Sequence, residues 1–411
     1  MNQIKQGYKQ TKVGIIPEDW EVFYFDKIFI FSTGKNIKQN EASPDFEIPC
    51  VRYGELYHLY NEIITKVINK TNLDKSELLF SKGDEILLPS AGEDPLDIGS
   101  ASALTLKNIA IGRTINILRP SKKNIYFQKY IAYYINHQLK TKIASLSKGS
   151  SISNVYNSDL KKLKIPLPPL KEQEKIAQIL TTWDEAITKQ TELLRAKELQ
   201  KKGLMQKLLS GEVRFSEFTD KWKIFSLNEV LKERKTYQSK GLELEHVSLT
   251  KEGVVPKSER YERDFLVKGE DKQYKITKLN DICYNPANLK FGVICKNTYG
   301  NGIFSPIYVT FETKKGFNID FLGYFLTWSG FINKVRRFEE GTVYERMAVN
   351  PKDFLSFKTK LPSLEEQQKI AEVLSLADDE INLLKNELEE LKQQKKALMQ
   401  KLLTGEVRVK V

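Results

Sequence analysis

The sequence predicts an α+β protein organised as a tandem repeat, in which two globular domains alternate with two long helices. Two observations lead to this prediction. The first is a ladder of residues spaced alternately by four and three positions, the a/d pattern of a coiled coil, at Ile370, Leu374, Ala377, Ile381, Leu384, Leu388, Leu391, Lys395, Leu398 and Leu402. The second is that the same ladder occurs 194 residues earlier, with Gly211 aligned to Gly405, at Ile176, Leu180, Trp183, Ile187, Gln190, Leu194, Lys197, Lys201, Leu204 and Leu208.

Residues that favour helix ends flank both ladders. Prolines precede each ladder, and Ser363 and Glu366 have the spacing of a capping box at the second one. Gly211 and Gly405 follow the ladders, at the position where a left-handed residue often ends a helix. Each helix is therefore expected to span about 39 residues, or about 58 Å at 1.5 Å per residue.

Two helices with matching seams in one chain are expected to pack on each other. We predict an antiparallel coiled-coil spacer, because a direct return of the second helix brings Gly405 back beside the first domain. This arrangement would place the domains at opposite ends, related by a pseudo-two-fold axis. Three polar residues occupy the first seam, where they either set the register, face a partner subunit or lie in solvent; these are Gln190, Lys197 and Lys201.

The repeat divides the chain into four segments with an uneven distribution of charge. The segments are a first α+β domain (1–165), a first helical spacer (166–214), a second α+β domain (215–360) and a second helical spacer (361–411). Of the net charge of +12, each globular domain contributes +6, with 23 basic against 17 acidic residues in the first and 25 against 19 in the second. Two basic domains on nearly neutral helices favour contact with an acidic partner such as nucleic acid.

Short apolar runs between turn residues predict the strands of both domains. In the first domain they lie at 48–51, 85–88, 103–106 and 114–118, and helical spacing follows from Phe127 to Leu139. The second domain repeats this order with a strand at 303–311 and a helix at 321–331. The polar loop at 148–151 is matched by 340–343, so the two domains share a layout but little sequence.

Composition excludes several classes of protein. The three cysteines, Cys50, Cys283 and Cys295, show neither C-x-x-C spacing nor a histidine at the spacing of a metal ligand, so reduced core thiols are expected and no metal site. No apolar run approaches the roughly 18 residues of a membrane span, and the N-terminus lacks a signal sequence. We therefore expect a cytoplasmic protein without a membrane partner.

The runs at the helix starts and ends carry a resemblance to a known family. The starts read IPLPPLKEQEKIA at 165–177 and LPSLEEQQKIA at 361–371, and the ends read KLLSGEVR at 207–214 and KLLTGEVR at 401–408. Together with the opening GIIPEDW at 14–20, these runs resemble the specificity (S) subunit of type I restriction-modification systems. The resemblance covers the full length, and its motifs occur twice in register.

The resemblance implies a function and a set of partners. It implies two target-recognition domains that each read one half of a split site in double-stranded DNA, and helices on which two methyltransferase (M) subunits dock. Restriction and translocation (R) subunits would join through the complex. This chain would then hold no cofactor and no catalytic residue, since S-adenosylmethionine, ATP and Mg would belong to the partner subunits.

Candidate contact residues follow from the chemistry of each partner. Bases and phosphates are contacted by Arg, Lys, Asn, Gln and Ser side chains. The candidates are Lys148, Ser150, Ser151 and Asn154 in the first polar loop, and Asn288, Lys290, Arg336, Arg337 and Arg346 in the second domain. A surface that serves the same partner twice should be repeated. The candidates for partner docking are therefore Glu172, Gln173, Glu366 and Gln367.

Two other classes of function have to be weighed. A stand-alone DNA methyltransferase or nuclease would need its own active site, and Tyr284-Asn285-Pro286-Ala287 only partly matches the Asn-Pro-Pro-aromatic motif of adenine methyltransferases. No Gly-rich cofactor loop and no phosphate-binding G-x-x-x-x-G-K-[ST] motif is present. A coiled-coil adaptor with protein-binding domains is the other alternative, and the distribution of charge disfavours it.

Overall fold

The computed structural model describes residues 4–149, 151–239, 244–257, 273–339 and 348–411. Strands and short helices make up both globular domains, and two long helices follow them. The chain divides into two compact units, Met1–Gln190 with Glu387–Val411 and Thr191–Asn386. Each unit therefore contains one globular domain together with half of each long helix, whereas the sequence-based division separated the helices from the domains.

The elements of the first domain follow one another in short segments. Its strands are β1 Tyr8–Thr11, β2 Gly14–Pro17, β3 Glu21–Tyr24, β4 Phe29–Thr33, β5 Ile48–Val51, β6 Ile63–Ile64, β7 Lys70–Thr71, β8 Phe80–Lys82, β9 Glu85–Pro89, β10 Ala91–Gly92, β11 Ser102–Leu104, β12 Lys107–Ile111, β13 Ile115–Pro120, β14 Ser153–Asn154 and β15 Lys164–Leu167. Its helices are α1 Phe25–Ile28, α2 Glu55–His58, α3 Pro95–Ile98, α4 Gln128–Tyr134, a π-helical turn at Ile135–Leu139, α5 Lys140–Ser145 and α6 Asn157–Leu160.

The two largest sheets of the first domain have five and four strands. One has the strand order β4-β13-β9-β11-β6, and the other has the order β7-β5-β12-β8. Strand β12 belongs to the second sheet and is followed, after the three residues 112–114, by β13 of the first sheet. The core lies between the first sheet and α4, where Tyr130, Ile131 and Tyr133 are fully buried.

The second domain uses a shorter version of the same arrangement. Its strands are β16 Lys223–Ser226, β17 Leu231–Glu233, β18 Tyr237–Ser239, β19 Val247–Leu249, β20 Val254–Pro256, β21 Gln273–Thr277, β22 Ile282–Tyr284, β23 Ile294–Lys296, β24 Gly302–Phe304, β25 Val309–Thr313 and β26 Lys358–Leu361. The long helices are α7 Leu170–Ser210 and α12 Leu364–Leu403, and between them lie α8 Leu227–Val230, α9 Ile319–Thr327, α10 Ser329–Val335 and α11 Pro351–Ser356.

Most strands of the larger sheets correspond between the two domains. The order β17-β25-β22-β23 matches β4-β13-β9-β11, and β21 beside β24 matches β8 beside β12. The parallel pairing of β5 with β12 is also repeated, as a parallel bridge between His246 and Ile303. The duplication expected from the helices therefore extends to the fold of the domains.

Two expectations in the second domain were wrong in detail. The single strand expected at 303–311 is two strands, β24 and β25, which belong to different sheets. Pro306 lies between them, and proline cannot donate a hydrogen bond to a sheet. The single helix expected at 321–331 is also two helices, because Trp328 has an extended backbone with ψ of 131°.

Both long helices bury the residues of the predicted ladders. In each helix every ladder position is buried or partly buried, whereas most residues between them are exposed. Within the first unit, Gln190 donates to Glu387 at 2.9 Å, and within the second unit Lys197 pairs with Glu380 at 2.6 Å. A second pair in the first unit joins Asp184 to Lys395, and a second pair in the second unit joins Lys201 to Asp378. Within each unit the residue number on one helix rises as that on the other falls, so the helices are antiparallel there, as predicted.

The polar seam residues make contacts between the helices. Lys201 of the first seam pairs with Asp378, and at the equivalent position of the second seam Lys395 pairs with Asp184. With the pairs formed by Gln190 and Lys197, these contacts fix the register. Of the alternatives left open by the sequence, the structure supports setting of the register.

Candidate nucleic-acid interface and helix junctions

A buried ion pair joins the second domain to the start of α12. Glu366 is 1% exposed and accepts hydrogen bonds at 2.8 and 2.7 Å from the guanidinium of Arg214. The indole Nε1 of Trp222 donates to the same carboxylate at 3.2 Å. Gly211, at a φ of 72°, turns the chain so that Arg214 can reach back. We call Trp222, Arg214 and Glu366 the second junction.

The first domain has an equivalent junction, formed by Trp20, Arg408 and Glu172. Glu172 is also 1% exposed, and it accepts two hydrogen bonds of 2.7 Å from Arg408 and one of 3.2 Å from Trp20. Asp19 adds a second carboxylate, at 2.9 and 2.8 Å from the same guanidinium. This hydrogen bond lowers the pKa of Asp19. The hydrogen bonds that Arg408 donates to Glu172 and Asp19 raise the pKa of Arg408.

The two buried glutamines also have matching roles. Gln173 accepts from the backbone N–H of Phe127 at 2.8 Å and donates to the carbonyl of Pro168 at 2.8 Å. Gln367 accepts from Asn318 N–H at 2.9 Å and donates to Pro362 at 3.0 Å. Each glutamine thus ties the first turn of a long helix to the domain before it.

These contacts correct the expectation for partner docking. Glu172, Gln173, Glu366 and Gln367 are at most 2% exposed and bind within the chain, so a partner cannot reach them. The capping box at Ser363 is also only half formed. Ser363 accepts from the N–H of Glu366 at 3.3 Å, but the carboxylate of Glu366 is occupied by Arg214.

The ends of three strands in the first domain meet at one sheet edge. The N–H of Gly34 donates to Ile115 at 2.9 Å, Arg113 to Asn36 at 2.8 Å, and Ser90 to Thr114 at 2.9 Å. We call residues 34–37, 90 and 112–114 the first edge. Its exposed side chains include Lys35 and Arg113.

The backbone of the first edge is strained. Three of its non-glycine residues have positive φ values, 51° at Asn36, 56° at Ile37 and 68° at Thr114. Such values cost about 1–3 kcal/mol each and are unusual for β-branched residues. A Cβ on Gly34 would lie 1.9 Å from the carbonyl oxygen of Gly112. The close approach of these two segments holds the strained turn in place.

The candidate loop of the first domain adjoins this edge. Asn154 pairs with Ala91 in the β10-β14 ladder, and Val155 N–H donates to Ser90 at 2.9 Å. Lys148 forms backbone hydrogen bonds with Asn154, and its ammonium lies 3.4 Å from Asp159, which neutralises part of its charge. Ser151 is exposed, and Ser150 lies outside the described residues.

The equivalent edge of the second domain carries two of its candidates. Tyr284 pairs with Val309, so the segments 285–292 and 305–308 lie side by side, and we call them the second edge. Asn288 and Lys290 lie on a 3₁₀-helix at Pro286–Phe291 within it. Two of the DNA-contact candidates named from the sequence therefore lie in one of the two segments of this edge.

The arginine candidates of the second domain lie elsewhere. Arg336 pairs with Glu339 at 3.3 Å. Arg337 stacks 5.1 Å above the ring of Phe357, next to the strand that leads into α12, and none of its described contacts is with the second edge. Arg346 and the loop expected at 340–343 lie outside the described residues.

The sequence-based candidates did not include several side chains that are exposed at the two edges. Phe291 is 57% and Ile307 is 60% exposed at the second edge, and Arg113 is exposed at the first. Lys290 lies 5.2 Å above the ring of Phe291. The available signal was Gly112 before Arg113 and Pro306 before Ile307, both turn residues between apolar runs.

The partial methyltransferase motif forms a turn at the end of a strand. Asn285 accepts from Ala287 N–H at 3.1 Å and so caps the 3₁₀-helix. In the part of the chain that the structure describes, no cluster of His, Cys, Asp and Glu is arranged to hold a metal. Each helix there is either too short or too polar to cross a bilayer.

Comparison with known proteins identifies the family. The family model for the type I restriction modification DNA specificity domain matches residues 17–196 and 219–393. A putative type I restriction enzyme MjaX specificity subunit of Methanocaldococcus jannaschii is 28% identical over 99% of this chain and 98% of its own length. The MjaVIII specificity subunit of the same organism is 26% identical over 99% and 97%.

Solved structures show the same fold. The crystal structure of a type I restriction-modification S subunit from M. genitalium covers 97% of both chains with a TM-score of 0.59 at 16% identity. A chain from a study of complex assembly in the type I R-M system covers 95% of this chain and 99% of its own, with a TM-score of 0.56 at 14% identity. From the two matched copies of the family domain, this chain belongs to the type I restriction-modification DNA specificity family.

Proposed function

We propose that this chain recognises an asymmetric, bipartite DNA site, with each globular domain reading one half. The observation that supports this most directly is the pair of edges. Both lie at the same strand ends of equivalent sheets, yet they carry different side chains, Arg113 and Lys35 in one and Phe291 and Ile307 in the other. Equivalent sheets that carry different surface side chains are suited to two domains that recognise two different DNA sequences.

The helices would set the distance between the half-sites. Helices α7 and α12 contain 41 and 40 residues and pass from one unit into the other. At 1.5 Å per residue each is about 60 Å long, which limits the centre-to-centre distance to about 17 base pairs. Reading from one face of the duplex favours about one turn, or 10–10.5 base pairs. The expected unread gap is about five to eight base pairs.

We further propose that the chain acts without catalysis of its own, as part of a complex. Two methyltransferase subunits would bind it and supply the S-adenosylmethionine site. Restriction subunits would supply the sites for ATP and Mg. The support is the family of the chain and the capping role of the one sequence that partly matched a methyltransferase motif.

The docking surface for the methyltransferase subunits is the exposed part of the repeated helix ends. The arginine of each KLLxGEVR run is held by a junction, and the residue before it faces solvent, Val213 at 47% and Val407 at 44% exposed. The residues Lys207 and Glu212 and their counterparts Lys401 and Glu406 are also exposed. An identical surface that occurs twice suits two copies of one partner.

An exchange of domains tests the reading model. Replacing residues 1–165 by the corresponding domain of another family member should change one half of the methylated site and leave the gap and the other half unchanged. Inserting four residues into both helices should lengthen the gap by one or two base pairs, if rise along the helix alone governs it. Both are measured by methylome sequencing of cells that express the complex. A continuous palindrome, or a site unaffected by both changes, would contradict the proposal.

Single substitutions at the repeated ends test docking. Val213→Asp and Val407→Asp should each reduce the bound methyltransferase subunits from two to one, and the double variant should bind none, as measured by native mass spectrometry. Leu199→Asp is a matched control, since Leu199 is 69% exposed on α7 and Gln393 occupies its repeat position. Retention of two subunits by the double variant would exclude this surface.

A further inference from the structure

We propose that Arg113 reads a guanine in the half-site of the first domain. This inference rests on the proposed DNA-reading function and assigns a base contact within it. Arg113 occupies the turn between β12 and β13, where the chain passes from one of the two largest sheets of the first domain to the other. It was not among the candidates from the sequence.

The backbone around Arg113 is fixed on both sides. Its own N–H donates to Asn36 at 2.8 Å, and the N–H of Gly112 before it donates to Val51 at 2.8 Å. Thr114 after it has a φ of 68° and accepts a hydrogen bond from Ser90. A base-reading side chain must start from a rigid, preset position. Strained turns of this kind persist where the surrounding structure holds them, and they concentrate at functional sites.

The guanidinium of Arg113 has no partner among the described residues, unlike those of the other arginines in the first domain. Arg52 pairs with the buried Glu55 at 2.8 Å, and Arg119 pairs with the buried Glu85 at 3.0 Å. The side chain of Arg113 is exposed, and its guanidinium forms no hydrogen bond or ion pair with any residue that the structure describes. Its five donors are therefore available to an external acceptor.

The geometry of an arginine selects the acceptor. A guanidinium matches the O6 and N7 atoms of guanine with two parallel hydrogen bonds, which is the commonest base-specific contact in the major groove. The neighbouring Lys35 is exposed on the same edge, and its ammonium suits a phosphate as a point charge. The first edge thus combines a planar donor for a base with a cation for the DNA backbone. Asn154 lies near this edge, because the next residue, Val155, donates a backbone hydrogen bond to Ser90.

The test uses the complete complex with its methyltransferase subunits and reads the methylated motif by genome-wide sequencing. Arg113→Ala should remove the preference for guanine at one position of the half-site assigned to the first domain. Loss of one bidentate contact should reduce discrimination at that position by about 5-fold to 150-fold. The gap and the other half-site should be unchanged.

Two further variants complete the experiment. Lys123→Ala removes one positive charge from an exposed position beyond the opposite end of β13, and it should leave the motif unchanged. Arg113→Lys keeps the charge and loses the paired geometry, so it should widen the motif at the same position. If Arg113→Ala fails to assemble, the lysine variant alone decides the question, since an unchanged motif would overturn the assignment.

The outcomes separate this inference from the function on which it rests. A wild-type complex that methylates no bipartite site would remove the proposed function. A bipartite wild-type site that the Arg113 variants methylate with the same motif, at an equally reduced rate everywhere, would make Arg113 a phosphate contact and overturn this inference alone.

Discussion

The two edges place different chemistry on equivalent strands. The first edge presents the cations Lys35 and Arg113 on a backbone that holds three non-glycine residues at positive φ. The second edge presents Phe291 and Ile307, each more than half exposed, and its non-glycine residues have no positive φ values. A hydrogen-bonding surface and an apolar surface read different features of DNA, since base edges accept hydrogen bonds and the thymine methyl group accepts apolar contact.

The junctions show the opposite behaviour. Tryptophan, arginine and glutamate recur in both halves with the same hydrogen bonds, and so do the glutamines that follow the glutamates. Their burial explains the difference. A buried ion pair constrains each of its members, whereas an exposed strand end can change its side chains at little cost to stability.

The largest effect is expected from breaking a junction. Glu366→Gln leaves Arg214 without its full partner and should lower the free energy of unfolding of the second unit by an amount near the lower end of about 3–5 kcal/mol. Glu172→Gln should cost less, because Arg408 keeps Asp19 as a second carboxylate. The second junction lacks this carboxylate, since the residue before Trp222 is Lys221 where the residue before Trp20 is Asp19. Differential scanning calorimetry of both variants checks this. Equal losses would show that Asp19 does not compensate.

A smaller effect is expected along the helix seam. Ile381 is 5% exposed, and its repeat counterpart Ile187 is only partly buried. Ile381→Ala should therefore cost an amount near the lower end of about 2–5 kcal/mol, and Ile187→Ala should cost less because it removes less buried surface. Thermal or denaturant unfolding of the two variants measures the difference. A larger loss at Ile187 would mean that the two seams are not packed as the structure has them.

Substitution at the second edge should change recognition and leave stability nearly unchanged. Ile307→Ser removes an exposed apolar group, so the free energy of unfolding should shift by no more than about 0.5 kcal/mol. The methylated motif should widen at one position of the half-site read by the second domain, and the first half should stay as it is. Methylome sequencing beside a calorimetric scan provides both readouts. A changed first half-site would contradict the assignment of the edges.

The smallest effect expected is on the pH dependence of the stability of the first unit. Burial, with the nearby Lys396 and Lys395, lowers the pKa of His137 below its usual 6.5, and the helices at 319–335 contain no histidine. The unfolded chain then takes up a proton before the folded one does, so stability falls as the pH drops below about 6.5. When the pH is lowered from 7.5 to 5.5, the first unit of the unaltered protein should lose more thermal stability than the first unit of the His137→Gln variant. Parallel losses in the two proteins would exclude this histidine as the cause.

The sequence predicted the elements whose signals are periodic or local. The seams follow from spacing alone, and the left-handed Gly211 and Gly405 follow from the residue type that ends a helix. The edges could not be predicted, because Asn36, Ser90 and Arg113 meet only after strands distant in the chain have paired. The repeated glutamates were misinterpreted for a related reason. Repetition indicates a constraint but does not say whether an external partner or a buried arginine imposes it.

The division of the chain between the units bears on the order in which they can form on the ribosome. The second unit is one continuous stretch, Thr191–Asn386, whereas the first is completed only by Glu387–Val411. Met399, Leu402 and Leu403 of that last stretch pack into the same core as Ile176 and Leu180. The first domain is thus synthesised first, but its core is completed last. The apolar surface that Met399, Leu402 and Leu403 will cover stays exposed while the whole second unit is being translated. Nascent chains that stall before residue 399 should be the species that require a chaperone.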